Sequence, residues 1–260
     1  MNFKQITGIY FSPTESTKKV VELIVGAIDG NRAYLDLTDA VLRRPDYSFT
    51  ENEAVIVGVP VYGGRVPKTA VERLRKLHGR QTPAVLVVTY GNRAYEDALA
   101  ELRDVLSEQG FKIAAAAAVV AEHNIVHSIA AGRPDEADQA ALKEFGRGVD
   151  ERLRTIQSAY RLKEAEVKGN VPYRPYGTIP FKIIVSGSCS GCGLCIKKCP
   201  VQAISRTDPK VTDQERCISC MRCVKLCPEK GRKISPLMLF MAGKKLKKAC
   251  GSRKEPEFFF

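Results

Sequence analysis

Two stretches of the sequence repeat one arrangement of cysteines: CSGCGLCIKKCP at residues 189–200 and CISCMRCVKLCP at residues 217–228. Each stretch has the spacing C-x2-C-x2-C-x3-C-P, and corresponding cysteines lie 28 positions apart. Eight of the nine cysteines in the 260-residue chain belong to these stretches. Such dense cysteines at fixed short spacing indicate metal binding in a protein expected to be cytoplasmic, because disulfides are rare there.

The spacing favours iron–sulfur clusters over other metals. Three cysteines at steps of three residues form a tight loop that wraps one face of a 4Fe–4S cube, and this run is the bacterial two-cluster pattern. Gly191 and Gly193 let the backbone pass close to the sulfides and donate N–H bonds to them. Structural zinc, the alternative, usually takes two separated C-x2–4-C pairs, and a disulfide framework is disfavoured further. The predicted metal ligands are Cys189, Cys192, Cys195, Cys199, Cys217, Cys220, Cys223 and Cys227.

Charge is spread unevenly and separates two modules. Residues 1–160 carry a net charge of −1, residues 161–228 carry +7, and residues 229–260 carry +6. The segment KGNVPYRPYGTIPFK contains three prolines and two glycines, which is typical of an extended connector. We predict an α/β domain at 1–160, a linker at 161–180, a small α+β cluster domain at 181–236 and a basic tail at 237–260.

No apolar run approaches the roughly 20 residues that a membrane span needs, and the N-terminal stretch lacks the pattern of a signal peptide. A soluble, cytoplasmic protein is therefore expected. Cys250 has no partner spacing and is expected to be a free thiol in the tail. The apolar and basic run LMLFMAGKKLKKA in the tail is expected to pack or hang free rather than contact a membrane.

Short apolar runs rich in β-branched residues alternate with helical patterns through the first 160 residues. The run KIAAAAAVVAEH is ambiguous, since alanine favours helix, but its position after a helix and a glycine favours a strand. Five strands alternating with helices predict a doubly wound, five-stranded parallel sheet. The strands are predicted at 6–11, 32–37, 54–62, 83–91 and 112–123, and the helices at 17–28, 68–78, 95–110 and 134–157.

Sheets of this kind bind ligands at the carboxyl ends of their strands, so the loops after strands one, three and four are the candidate site. The first loop, SPTEST at 12–17, offers hydroxyls and a helix N-terminus, which suit a phosphate. The other two, PVYGGRVP at 60–67 and TYGNRAY at 89–95, offer aromatic rings and exposed backbone, which suit a flat ring such as a flavin. His123 and His127 follow strand five, where packing is the simpler interpretation.

The first 160 residues resemble flavodoxin, whose phosphate loop S/T-x-T-G-x-T is similar to SPTEST. From residue 7 to residue 234 the chain resembles a family of ferredoxins with an N-terminal flavodoxin-like region. The resemblance implies FMN, with its phosphate on the first loop and its ring between residues 61–65 and 90–95. Glu15 departs from the pattern, because flavodoxins have glycine there. The implied flavin-site residues are Ser12, Thr14, Glu15, Ser16, Thr17, Pro60, Val61, Tyr62, Gly63, Gly64, Tyr90, Gly91, Asn92, Arg93 and Tyr95.

The resemblance also implies how the cysteines divide between two clusters. In such ferredoxins the fourth cysteine of each run crosses to the other cluster. One cluster would then take Cys189, Cys192, Cys195 and Cys227, and the other Cys217, Cys220, Cys223 and Cys199. The cations Lys197, Lys198, Arg222 and Lys225 would either partly offset the negative charge of the clusters and raise their potentials, or serve only as solvated surface residues.

These features predict electron transfer between two 4Fe–4S clusters and FMN in one chain, with reduction of a small molecule at the flavin left open. The alternative is a non-enzymatic ferredoxin-type carrier whose flavodoxin-like domain docks partners without tightly bound flavin. Acidic redox proteins are the expected partners of the basic half. Such partners account for its positive charge as well as nucleic acid would. We expect no nucleic-acid binding, and we expect an anaerobic setting because of the clusters.

Overall fold

The computed structural model describes residues 3–42, 45–155, 162–177 and 181–260. The predicted end of the last helix at 157 and the predicted boundaries near 160 and 180 lie outside these residues. The strands are β1 Gln5–Tyr10, β2 Arg32–Asp36, β3 Tyr47–Phe49, β4 Glu53–Pro60, β5 Leu77–Gly79, β6 Thr82–Tyr90, β7 Phe111–Val120, β8 Ile183–Val185, β9 Arg232–Ile234 and β10 Glu257–Phe259. The helices are α1 Ser16–Gly26, α2 Lys68–Leu74, α3 Ala98–Glu108, α4 Glu136–Thr155, α5 Leu194–Lys198, α6 Arg222–Lys225 and α7 Pro236–Ala249.

The main sheet has the strand order β2-β1-β4-β6-β7-β10. The first five of these strands run parallel, which confirms the prediction of a five-stranded parallel arrangement. Counted among themselves in chain order, they lie in the order 2-1-3-4-5, which is the flavodoxin-like doubly wound topology. The sixth strand, β10, pairs antiparallel with β7. The structure thus adds a sixth strand that the sequence did not predict, because residues 257–259 of the predicted tail return to the sheet.

The alanine-rich run is a strand, as its position in the chain predicted, because its small side chains allow helices to cover both faces. Ala116 belongs to the core beneath α2 and α3, whereas Ala115 and Ala117 belong to the core beneath α1 and α4. All three are fully buried. A parallel sheet that is buried on both faces needs apolar residues at successive positions rather than an alternating pattern.

A second, small sheet was not predicted. The helix expected at 68–78 ends at Leu74, and Leu77–Gly79 pairs in parallel with Tyr47–Phe49. Leu77 and Phe49 are buried in the main core, and the Phe49 ring lies 6.0 Å from that of Phe111. Three-residue strands carry too short a pattern to separate from helix by periodicity.

The described part of the predicted linker, residues 162–177, is bound along α3. The Arg65 guanidinium lies 4.8 Å from the ring centroid of Tyr173 and 4.1 Å from that of Tyr176. It also donates two hydrogen bonds of 2.8 Å to the buried Glu101 carboxylate, which accepts a further one from the Tyr176 hydroxyl. Asp97 accepts backbone N–H bonds from Arg174 and Asn170, which hold the pKa of Asp97 below its ordinary value. This segment is therefore anchored at several points.

The basic tail connects the modules instead of hanging free. Helix α7 packs through Leu239 and Leu246 against a cluster that includes Ile129 of the α/β domain and Met221 of the cysteine module. Its opposite face exposes Leu237, Phe240 and Met241. None of the helices in the described ranges is both long enough and apolar enough to cross a membrane.

We expect Phe258→Ala to lower the free energy of unfolding by about 2 kcal/mol, the scale for removing one large apolar side chain from a packed site. The Phe258 ring stacks on that of Phe145 with the centroids 4.6 Å apart, and it attaches β10 to the core. Urea denaturation followed by circular dichroism measures the change. Phe240→Ala, at a residue that is 62% exposed, is the control and should change stability by less than about 0.5 kcal/mol. Equal effects of the two substitutions would contradict a structural role for β10.

Candidate functional site

The two cysteine runs have the same backbone conformation. Gly191 and Gly193 have φ of 74°, and the residues 28 positions later, Ser219 and Met221, have φ of 49° and 62°. Left-handed φ is unusual for residues with a side chain, and it costs a β-carbon residue about 1–2 kcal/mol. The second run thus keeps the loop geometry of the first without its glycines, which indicates that the loop shape itself is required.

The equivalence extends to hydrogen bonds at the fourth cysteine of each run. The Ala203 N–H donates to Cys199 Sγ at 3.3 Å, and the Gly231 N–H donates to Cys227 Sγ at 3.3 Å. These pairs are again 28 positions apart. Backbone N–H bonds to thiolate sulfur stabilise the anionic form and raise the potential of a cluster bound there.

The structure places Cys199 of the first run beside three cysteines of the second. Burial raises the pKa of Cys217, Cys220 and Cys223, that of Cys220 to about 12, and the nearby Cys199 adds to each shift. Cys199 and Cys220 are themselves buried. These four cysteines are the set that the crossover pattern groups around one cluster.

Two cysteines of the other set, Cys189 and Cys227, meet at Gly231. A β-carbon added to Gly231 would lie 3.2 Å from the Cys189 backbone, and the Gly231 N–H binds Cys227 Sγ. Cys192 is exposed, whereas Cys195 is partly buried. This set therefore lies nearer the surface than the set around Cys220.

Within the described residues, no three His, Cys, Asp or Glu side chains converge closely enough to hold one metal ion. A four-iron cluster binds each thiolate through a different iron atom, so its ligands need no such convergence. The donor set of each run, four thiols on a loop with left-handed turns and N–H groups directed at sulfur, fits a 4Fe–4S cluster.

A cleft opens at the carboxyl edge of the sheet, between the loops that the sequence singled out. Its volume is about 40 Å³, which is room for a few water molecules and well below the ~300–1,000 Å³ of most ligand pockets. Its walls therefore have to separate before a flavin ring can enter. The cleft is lined by Pro13, Thr14, Ser16, Thr17, Pro60, Val61, Tyr62, Thr89, Tyr90, Gly91, Ala121, Glu122 and Asn124.

The first loop divides its predicted residues between two tasks. Thr14, Ser16 and Thr17 line the cleft, where hydroxyls and the free N–H groups of the first turn of α1 suit a phosphate. Ser12 instead holds the loop, since its Oγ accepts the Lys18 N–H at 3.0 Å. The hydroxyls of Thr17 and Thr89 form a hydrogen bond of 2.6 Å.

Glu15 occupies the left-handed position that the flavodoxin pattern gives to glycine, with φ of 68°. Its side chain is exposed, and its carboxylate lies 3.4 Å from Lys18 Nζ. Glu15 does not line the cleft. The loop thus keeps the backbone shape of the pattern, and the carboxylate points to solvent rather than toward the place of a phosphate.

The second loop brings a tyrosine next to the cysteine module. Gly63 and Gly64 form a tight turn in which Tyr62 and Arg65 exchange backbone hydrogen bonds of 3.0 and 3.2 Å. Tyr62 lines the cleft. Burial raises the pKa of Tyr62 well above its ordinary value, and the neighbouring Cys220 adds to the shift. The second loop thus places Tyr62 in the wall of the cleft.

The third loop contributes only its first residues to the cleft. Tyr90 and Gly91 line it, whereas the Asn92 amide donates bonds of 2.9 Å to the carbonyls of Cys250 and Ser252. The Tyr95 hydroxyl donates to Glu257 at 3.0 Å. The Arg93 carbonyl accepts a hydrogen bond from Lys254. The C-terminal segment thus binds the part of this loop that the resemblance assigned to the flavin ring.

The histidines after β7 are packed or exposed. The His123 ring lies against Gly91, and its Nδ1 accepts the N–H groups of Ile125 and Val126 at 3.2 and 3.1 Å. Burial lowers the pKa of His123. His127 is exposed and lies 2.7 Å from Glu122, which lines the cleft.

Sequence reasoning missed the contact that joins the two modules. Asp39, after β2, lies 3.3 Å from Lys198 Nζ and 3.2 Å from the Arg222 guanidinium. Lys225 Nζ donates to the Thr14 carbonyl at 2.5 Å. Three of the four cations expected to offset cluster charge are therefore engaged with the α/β domain. Nothing in the sequence pairs Asp39 with residues about 160 and 180 positions away.

The chain was compared with known proteins. Residues 188–231 match the family of 4Fe–4S dicluster domains. No curated protein matches the chain.

Three solved structures are similar to part of the chain. A flavodoxin from the domain Archaea is 15% identical, with a TM-score of 0.40, covering 58% of this chain and 99% of that one. Oxidised flavodoxin 1 from Bacillus cereus is 15% identical, with a TM-score of 0.41, covering 59% and 99%. An apo NADH:FMN oxidoreductase is 17% identical, with a TM-score of 0.43, covering 62% and 94%. The fold assignment rests on the strand order given above. The chain joins a flavodoxin-like α/β fold to a segment, residues 188–231, that matches the 4Fe–4S dicluster family.

Proposed function

We propose that this protein transfers electrons between two 4Fe–4S clusters, held by the eight repeat cysteines, and an FMN bound at the sheet-edge cleft. The observation that carries the proposal is that Lys225, two residues after Cys223, donates a hydrogen bond to the carbonyl of Thr14, which lines the cleft. The buried cysteine set thus adjoins the site that the first loop builds for a phosphate. Bound clusters supply one-electron transfer, and bound FMN exchanges one or two electrons.

The chain's own residues would hold and orient these groups. Ser16 and Thr14 offer hydroxyls to a phosphate, and the first turn of α1 offers N–H groups and the positive end of its dipole. Val61 and Tyr62 form one wall for a flat ring, and Tyr90 and Gly91 form another. The Asp39 contacts hold the cysteine module over this edge. One chain therefore keeps both redox centres at high local concentration.

The charge and the exposure of the cysteine module indicate which molecules donate electrons to it and accept electrons from it. Cys192 is exposed, so electrons would enter at the cluster held by Cys189, Cys192, Cys195 and Cys227. The net charge of +7 on residues 161–228 suits acidic redox proteins as partners. A small molecule reduced at the flavin is the second candidate acceptor. We also propose a cytoplasmic, low-oxygen setting, since the clusters require reduced thiols.

A second candidate is supported by the narrow cleft. A volume of about 40 Å³ leaves no space for a flavin ring unless the walls move. In this alternative the chain is a ferredoxin-type carrier, and its flavodoxin-like domain serves to dock the cysteine module and its partners.

Anaerobic purification followed by iron, sulfide and flavin analysis separates the two candidates. We expect roughly eight irons per chain, as two four-iron clusters require, and about one FMN. Ser16→Ala should weaken FMN binding about tenfold or more, because a hydrogen bond to a charged group is worth about 1.5–3 kcal/mol. Titration of the flavin-free protein with FMN measures the affinity.

Glu15→Gln is the matched control for that titration. The Glu15 carboxylate points away from the cleft, so its neutral form should change FMN affinity by less than about threefold, or 0.7 kcal/mol. Eight irons with no flavin, even after FMN is added, would favour the carrier. Eight irons and FMN with equal affinity in wild type and Ser16→Ala would remove the phosphate site from the first loop.

Asp39→Asn tests whether the docked arrangement serves electron transfer. Removing the partner of Lys198 and Arg222 should loosen the module and slow the transfer of electrons from reduced clusters to flavin about fivefold, the scale of one partly exposed ion pair. Stopped-flow absorbance of the flavin measures this rate. The control is Asp29→Asn, whose partner Arg154 lies in the same α/β domain, and it should leave the rate unchanged. A wild-type rate in Asp39→Asn would contradict a role for this contact.

A further inference from the structure

Arg232 is buried at the junction of the two cysteine sets. It begins β9 and is 2% exposed. It directly follows Gly231, which touches Cys189 and binds Cys227. Its guanidinium reaches toward the same set, with Nη1 at 3.8 Å from Cys195 Sγ.

The same guanidinium also lies near the other set. Cys195 packs in one small cluster with Cys199, Cys217 and Cys223. One buried cation is thus placed beside a thiol where the two cysteine sets meet.

The protein holds Arg232 in place without neutralising it. Nη1 donates to the Pro209 carbonyl at 2.5 Å, and Nη2 donates to the Thr212 hydroxyl at 2.6 Å. Nε is buried and has no hydrogen-bond partner in the part of the chain that the structure describes. Burying a cation on neutral acceptors is costly unless an anion accompanies it. Thiolate-bound clusters, each with a net negative charge, are the anions that fit this position.

We propose that Arg232 sets the reduction potentials of both clusters by placing one buried, permanent positive charge between them. The inference rests on the proposed function, because it requires both clusters. Reduction by a one-electron donor protein adds one electron and one negative charge to a cluster, and no bond forms or breaks. Arg232 keeps its proton throughout, so its charge favours the reduced form of each cluster over the oxidised form. Arg232 is in this sense a positioning and tuning residue.

The neighbouring cations lack this combination of burial and position. Lys198 and Arg222 are paired with Asp39, and Lys225 binds the Thr14 carbonyl. Lys233, the next residue of β9, is exposed, so solvent screens its charge.

The test compares midpoint potentials in full-length protein that has been reconstituted anaerobically with iron and sulfide. Potentials are read by electron paramagnetic resonance during titration with dithionite. Arg232→Gln keeps hydrogen-bond donors but removes the charge. We expect the ratio of reduced to oxidised cluster at a fixed potential to fall about tenfold or more, which is 59 mV for a one-electron couple. Arg232→Lys should retain most of the wild-type potential, and the control Lys233→Gln should change the ratio by less than about twofold.

Each outcome decides the inference. Arg232→Gln with full iron content and wild-type potentials overturns it, while the proposed function stands. If Arg232→Gln loses iron and Arg232→Lys keeps both iron and potential, the charge is the essential property and the inference is supported. If both variants lose iron, the shape of the guanidinium is what matters and the inference is wrong. Wild-type protein without iron would instead contradict the proposed function itself.

Discussion

The buried guanidinium of Arg222 fixes the relation between the two modules. Arg222 lies between Cys220 and Cys223 in the sequence, and it reaches Asp39 and the Ser12 carbonyl in the α/β domain. The same short helix that orients the thiols is therefore held to the first loop of the sheet edge. If this contact were broken, the cysteines would keep their own loop geometry, and their position over the cleft would be held less firmly.

Around this contact the chain builds one continuous structure. The segment at 162–177 is bound along α3 through buried charges and tyrosines, and the C-terminal segment returns through Asn92 to the loop after β6. The cysteine module is thus attached to the α/β domain at its entry and at its exit. A module held at two ends samples few orientations, which suits electron transfer between fixed centres.

The sequence contains enough information for the parts that depend on local pattern. The two cysteine runs and the five parallel strands follow from spacing and hydrophobic periodicity, even for the alanine-rich β7. The parts that were missed depend on contacts distant in the sequence. Neither β10 nor Asp39 carries a local signal, since three aromatic residues at a chain end or one carboxylate in a loop fit many environments. Arg232 resembles the other cations of a basic domain, and only the fold shows that it is buried.

The site shows the same division. The sequence identified the loops that line the cleft and the departure at Glu15, but it could not show where the Glu15 carboxylate points. The assignment of Asn92, Arg93 and Tyr95 to a flavin stays a prediction from the resemblance. In this chain the same residues bind the C-terminal segment that brings β10 to β7.

The position of β10 also affects how the protein behaves as it is synthesised. Until β10 is made, β7 is the edge of the sheet, and the unpaired N–H and C=O groups along it are open to pairing with another chain. The final three-residue strand covers Ala116–Ala118 and leaves only a short edge of its own. Chains in which β10 is detached from β7 should therefore self-associate through β7, so β10 protects this edge of the sheet from aggregation.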